Sequence, residues 1–232
     1  MAEQAMADES GTFWERPAVV ERFASRDPDA RLKDWLSNCE RPESLRVLDI
    51  GCAGGRNTEL LARAGCDLHA IDASGPMVRR TRFRVGQIIG EREAARRVRV
   101  GRMENLGGYA DRSFDLVIAL GVYHSAPDRG TFERALTESS RVLDDGGELL
   151  LANFAPGTRV EGAPLRPLPE EPGVYVGHES GRHYLLEADE LDELLYEFDL
   201  VPVEPTRTVE AGDADSRRIT VNGRYRKEVR GT

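Results

Sequence analysis

From about residue 45 onward, short apolar runs alternate with longer mixed segments, and this alternation predicts βαβ units feeding a parallel sheet. Strands are expected near 46–50, 67–71, 98–101, 114–120 and 147–153. Helices are expected near 56–64, 75–93 and 128–142, with Asp128 offering the N-cap of the last. Before this core, residues 1 to 10 read as a loose tail. Val19, Val20, Phe23, Leu32, Trp35 and Leu36 then suit two amphipathic helices broken around Asp27-Pro28. These helices read either as a cap over a site or as filling against the sheet. After Phe154 the pattern lapses into a stretch rich in proline and glycine that runs to His183. Such a segment in a compact domain is a lid, a binding loop or disorder. Leu191, Leu194, Leu195 and Phe198 restore a helical period, and Leu200 to Val203 and Arg218 to Val221 read as two further strands. Asn222-Gly223 forms a tight turn or interrupts the last strand.

Right-handed crossovers place the carboxyl ends of the parallel strands on one edge, where open α/β sheets bind ligands. Asp49, Asp72, Glu104 and His124 all fall at such ends. The first strand, Arg46 to Ile50, breaks directly into Gly51-Cys52-Ala53-Gly54-Gly55 and then a helix. Glycines beside a buried strand let a ligand approach the backbone without meeting a Cβ. A dinucleotide fingerprint, G-x-G-x-x-G, fails here, because counting from Gly51 puts Ala53 and Arg56 where glycines belong. An acid inside the strand end, Asp49, would repel a pyrophosphate but suits a cationic amino-acid group.

The run Asp49-x-Gly51-x-Ala53-x-Gly55 resembles motif I of the class I S-adenosylmethionine-dependent methyltransferases. The resemblance continues in order through His69 to Met77, Gly101 to Leu106, Ser113 to His124 and Arg141 to Leu151, and covers roughly residues 45 to 154. It implies a Rossmann-like α/β fold: a seven-stranded, mostly parallel sheet with helices on both faces, the last strand antiparallel, and an N-terminal helical cap. The organisation that follows is one methyltransferase domain over 1–232, with tail and cap at 1–40, cofactor-binding core at 45–154, insertion at 155–183, and last helix and strand pair at 184–232.

The resemblance also assigns roles. Gly51, Ala53 and Gly55 allow close backbone approach, and Asp49 lies near the amino-acid end of S-adenosylmethionine, unless it is a carboxylate that steadies the turn. Asp72 takes both ribose hydroxyls in charge-assisted hydrogen bonds. Met77 packs on adenine or in the core, and Met103 and Glu104 border the adenine. Cys52, Asn57, Ala73, Ala119 and Leu120 complete the cofactor site, with S-adenosylhomocysteine as product. The family's usual aspartate for the adenine amino group falls at Arg102, which cannot accept that bond, so Glu104 or backbone must replace it. Ala53 departs from the middle glycine. Tyr123 and His124, just beyond the fourth strand, are the candidate catalytic pair, His124 as a base or only as packing. His178 and His183 are more remote candidates.

Composition narrows the partners. A net charge of −9 over 232 residues argues against a nucleic-acid backbone, which needs a basic surface. Cys39, Cys52 and Cys66 form no metal-binding spacing, so no metal is expected. No apolar run approaches the ~18 residues of a membrane span, and no export signal is apparent, so a cytoplasmic protein acting on a small molecule is expected. A protein acceptor, a cofactor-binding regulator without transfer activity and a dinucleotide oxidoreductase are the competing readings.

Overall fold

The computed structural model describes residues 13–160, 163–212 and 217–228. The expected loose tail, residues 1 to 10, lies outside the described residues. Helices α1 (Pro17–Ala24) and α2 (Ala30–Ser37) stand on either side of Pro28, where the chain cannot continue a helix. Asp29 caps α2 by accepting from the Arg31 amide at 3.0 Å. Then β1 (Arg46–Ile50), α3 (Arg56–Arg63), β2 (Asp67–Asp72), α4 (Gly75–Ile89), α5 (Glu91–Arg97), β3 (Val98–Val100), β4 (Phe114–Leu120), α6 (Arg129–Val142) and β5 (Leu143–Phe154) form the core.

The strands alternate between two apolar faces, so each apolar run is covered on both sides. Val47, Leu116, Ile118 and Leu150 meet α2, α3, α4 and α5 through Leu32, Leu61, Val85 and Ala94. Their neighbours Leu48, Ile50, Val117, Leu149 and Leu151 meet α6 and α7 (Ala188–Glu197) through Phe132, Leu136, Leu191 and Leu195. Period two in the strands thus generates three layers. Glu148, at the edge of the first face, accepts from the Trp35 indole at 2.9 Å and from Arg224 at 2.7 Å, which ties α2 to the sheet.

Strands β6 (Arg159–Val160), β7 (Ala163–Pro164), β8 (Arg166–Pro167), β9 (Val174–His178), β10 (Gly181–Tyr184), β11 (Leu200–Pro202), β12 (Arg207–Ala211) and β13 (Arg218–Lys227) complete the described elements. The main sheet runs β11-β13-β5-β4-β1-β2-β3, with β12 also on β13. The expected seven positions are occupied. The eighth strand, β12, continues β11 along the same edge of β13, after a break that contains Pro205. Only β13 runs against its neighbours, pairing antiparallel with β5. Strand order reverses between β1 and β4, and that switch point opens the crevice where the site lies.

Three expectations need correction. The helix expected over 75–93 is two, because Gly90 takes φ 88° and breaks the run between Ile89 and Glu91. Asn222-Gly223 neither turns nor interrupts, since both residues are ladder positions opposite Ala152 and Leu151. The segment 155–183 is not irregular: it folds into a β6–β7 pair and a β8–β9–β10 sheet, with Pro164 and Pro167 confined to two-residue edge strands. Its signal was hidden because these strands are short and gather few apolar positions.

Candidate active site

The glycine turn after β1 is pinned to the next strand. Gly51 and Cys52 both donate their amides to the Ile71 carbonyl, at 2.9 and 3.0 Å. Gly51 adopts φ 72°, and a Cβ there would stand 2.7 Å from Val122 in the β4 loop. Ala53 also lies in the left-handed region at φ 47°, a conformation that costs an L-residue about 1–2 kcal/mol. Two hydrogen bonds offset this: its amide donates to Asp72 Oδ2 at 2.8 Å, and its carbonyl accepts the Thr81 hydroxyl at 2.7 Å. Asp72 Oδ1 accepts the Ser74 amide at 2.8 Å. One carboxylate therefore organises both the glycine turn and the start of α4.

These elements enclose a cavity of about 250 Å³. Gly51, Cys52, Ala53, Asn57, Asp72, Ala73, Met77, Met103, Glu104 and Leu120, all expected at the cofactor, line it. Asp49, Gly55 and Ala119 do not. Gly55 caps α3 at φ 84°, packed against Thr81, and Ala119 is wholly buried in β4. Asp49 sits behind the turn, 2% exposed, accepting the Thr58 hydroxyl at 2.6 Å. Burial, with Asp72 nearby, pushes its carboxyl up to about 7. Burial also raises Asp72, against the two amide bonds. Two acids in neighbouring positions with raised affinity for protons form a region that a cationic ligand would relieve.

Arg102 and Glu104 line the cavity together, Arg102 Nε donating to Glu104 Oε1 at 2.5 Å. The departure at Arg102 thus puts a paired carboxylate, instead of a lone aspartate, at the third strand end. The candidate catalytic pair is placed elsewhere. Tyr123 is fully buried, its ring is edge-on to Phe132 and its hydroxyl bonds Ser139, so it belongs to the core. His124 is 4% exposed, stacks on Phe154 at 4.1 Å and accepts the Phe154 amide on Nδ1 at 3.2 Å. Burial, reinforced by His183, holds its imidazole well below the usual range. Neither residue lines the cavity, so neither is placed as the base.

Several lining residues carried no motif. Trp14 and Phe23 meet edge to face at 5.4 Å in the cavity lining, and Ser74 Oγ donates to the Trp14 carbonyl at 3.1 Å. Ser125 and Ser180 face the same space. Gly54 is where the N-terminal helix rests: a Cβ there would fall 2.4 Å from the Ala24 backbone. Gly54→Ala is expected to cost about 1–3 kcal/mol by overpacking and to weaken S-adenosylhomocysteine binding as α1 and Phe23 shift. Thermal unfolding with and without that ligand checks it; an unchanged melting point and affinity would refute it. A wider groove of about 900 Å³ lies beside Trp35, Glu148 and Arg224, and it contains none of the strand-end acids Asp49, Asp72 or Glu104. Among the described residues no group of three or more His, Cys, Asp or Glu could hold a metal, and no helix is long and apolar enough to cross a membrane.

A reversed strand order with a glycine turn and acids at its strand ends is the arrangement of a Rossmann-like nucleoside-binding site. Residues 48–151 match the methyltransferase domain family. Through this core, which is less than half of the chain, the protein is similar to the S-adenosylmethionine-dependent methyltransferases, whose fold the solved structures share. A ubiquinone biosynthesis O-methyltransferase from Xanthomonas oryzae pv. oryzae is 34% identical over 122 residues, covering 52% of this chain and 48% of that protein. The chain thus spans about half the length of the curated relatives it matches. Among solved structures, a Methanosarcina mazei S-adenosylmethionine-dependent methyltransferase superposes with TM-score 0.64 at 20% identity, over 88% of this chain and 100% of that one. A 1,6-didemethyltoxoflavin-N1-methyltransferase from Burkholderia thailandensis, with bound 1,6-didemethyltoxoflavin and S-adenosylhomocysteine, gives 0.63 at 20% identity, over 86% and 78%.

Proposed function

We propose that this chain transfers the methyl group of S-adenosylmethionine to a small molecule, at an oxygen, nitrogen or sulfur atom. The observation that carries the acceptor class is the make-up of the donor cavity's lining, which includes Trp14 and Phe23 of the N-terminal segment and Ser180 of the insertion. A donor site lined from both of these segments suits a small acceptor better than a polymer. The O-methyltransferase name of the relatives is consistent with a hydroxyl acceptor.

The residues present fit the donor. The turn offers backbone at Gly51 and Cys52, and Asp72 keeps lone pairs on both oxygens for two ribose hydroxyls. Met77 and Met103 provide apolar walls for the adenine, and the Glu104–Arg102 pair borders its edge. Asp49 compensates the positive amino-acid end from behind the turn. The donor, when bound, supplies a methyl carbon activated by positive sulfur. The protein's share is then alignment and exclusion of water, for which the helical cap, described from Phe13 to Ser37, and the insertion, read as a lid, serve. Arg16 pairs with Glu179, and Phe13 meets His178 at 5.1 Å, so cap and insertion close on each other.

Calorimetry with S-adenosylhomocysteine, followed by transfer of radiolabelled methyl to a panel of small phenols, amines and thiols, tests this. Binding and transfer are expected. No binding removes the donor assignment, and binding with no transfer to the panel favours a regulator that senses the cofactor.

A further inference from the structure

The turn between β9 and β10 carries a hydrogen-bonded chain that reaches the cavity. Ser180 is buried and lines the cavity. Its Oγ lies 3.0 Å from Nε2 of His183 and 2.6 Å from Nδ1 of His178. His183 Nδ1 lies 3.2 Å from the backbone carbonyl oxygen of His124. A carbonyl oxygen only accepts, so His183 carries its proton on Nδ1 and turns the lone pair of Nε2 toward Ser180. His178 Nδ1 accepts the Ser180 amide at 3.1 Å and so also turns a lone pair toward Oγ; the single hydroxyl hydrogen of Ser180 therefore serves one imidazole at a time, and in the turn toward His183 the serine oxygen keeps a lone pair for an incoming donor.

We infer that Ser180 and His183 form the relay that removes the proton of a hydroxyl acceptor, with the His124 carbonyl fixing the imidazole. The inference rests on the methyl-transfer reading above and adds to it the route of the proton. The acceptor oxygen forms its bond to the methyl carbon while the carbon–sulfur bond breaks and leaves its electron pair on sulfur. The acceptor's proton passes to Ser180 Oγ as the serine proton passes to His183 Nε2. Positive charge thus moves from sulfonium to imidazolium, and the proton later leaves to solvent. Burial brings His183 down to about 4, so its lone pair is available throughout the neutral range. Such a base is weak toward a resting alcohol. It suffices here because an oxygen gaining a methyl group becomes an oxonium, whose proton is far more acidic. In this scheme Ser180 touches the acceptor, and the His124 carbonyl is a positioning group.

The arrangement is tested first without turnover. In nitrogen-resolved NMR of the wild-type protein, His183 should be the Nδ1–H tautomer with an unprotonated Nε2, and Ser180→Ala should move the Nε2 resonance. The Nε2–H tautomer overturns the relay. For turnover, phenol, catechol and 4-hydroxybenzoate serve as hydroxyl probes, and thiophenol, already a thiolate at neutral pH, as a probe needing no base. Ser180→Ala and His183→Gln should lower kcat for phenols about 100-fold or more and thiophenol transfer less than about threefold. Equal losses on both probes, or transfer to thiophenol alone by wild type, overturn the relay. Wild type that binds S-adenosylhomocysteine but methylates no phenol overturns the hydroxyl assignment, whereas absent cofactor binding overturns the methyl-transfer reading itself.

Discussion

Replacing Asp72 with alanine is expected to weaken S-adenosylhomocysteine binding on the order of 100-fold or more. Two hydrogen bonds to an ionised group contribute about 1.5–3 kcal/mol each, and about 2.7 kcal/mol already corresponds to 100-fold. The loss has a second source. Asp72 also accepts the Ala53 and Ser74 amides, and removing it leaves both donors without that partner at the base of the cavity. Ala53, strained at φ 47°, would then have lost its main restraint, so the turn itself should loosen. Asp72→Asn, which retains one accepting oxygen, should fall between wild type and alanine. Calorimetry, run well below the melting temperature of each variant, checks the order. Affinity within threefold of wild type for Asp72→Ala would rule out the ribose contact.

The second large effect concerns Asp49 and appears as a dependence of stability on pH. Its folded-state pKa is raised to about 7, chiefly by burial, from an unfolded value near 3.8. Between these values the folded chain holds a proton that the unfolded chain releases. The stabilisation from this group is therefore fully present below about pH 4 and is lost as pH rises through 7. At about 1.36 kcal/mol per unit the full span approaches about 4 kcal/mol, and about 2 is expected where water or small shifts reach the carboxylate. Asp49→Asn keeps an oxygen to accept the Thr58 hydroxyl and removes the charge, so the variant should gain on wild type by about 1.5–2.7 kcal/mol between pH 5 and pH 8, the two units from pH 5 to 7 setting the upper figure. The difference between the two proteins is the quantity to read. His124 and His183, held neutral by burial, give the wild type an opposite slope below about pH 6.5 that is common to both. Denaturant unfolding at pH 5 and pH 8 measures it; a difference that does not change with pH would sink the argument.

Much of the core was legible in the linear pattern. β1 and β4 fall where the apolar runs place them, because strands buried on both faces show as continuous apolar segments. Asp128 caps α6 as expected, accepting the Thr131 amide at 2.7 Å. Helix and strand ends that depend on one unusual residue were not legible. Gly90 divides a long helix because its backbone turns left-handed, and an isolated glycine in a helical pattern carries no mark of that. Tyr123 and His124 illustrate the matching difficulty at the site. Their position after β4 places them near the cavity, but which way each ring turns depends on partners such as Ser139 and Phe154, distant in the chain.

By itself the sequence determined the layered α/β core, the succession of its parallel strands along the chain and the edge on which Asp49, Asp72 and Glu104 gather. These follow from local periodicity, the handedness of crossovers and the chemistry of one glycine turn. Tertiary structure decided which of those residues reach the ligand space, that Asp49 stands behind the turn, and that Gly54 seats the N-terminal helix. It also decided that Ser180 meets the cavity, with His183 against it, from a proline-rich segment with no motif. The physical reason is that direction, burial and protonation of a side chain are set by packing between segments far apart in the chain, and that packing leaves no period in the sequence.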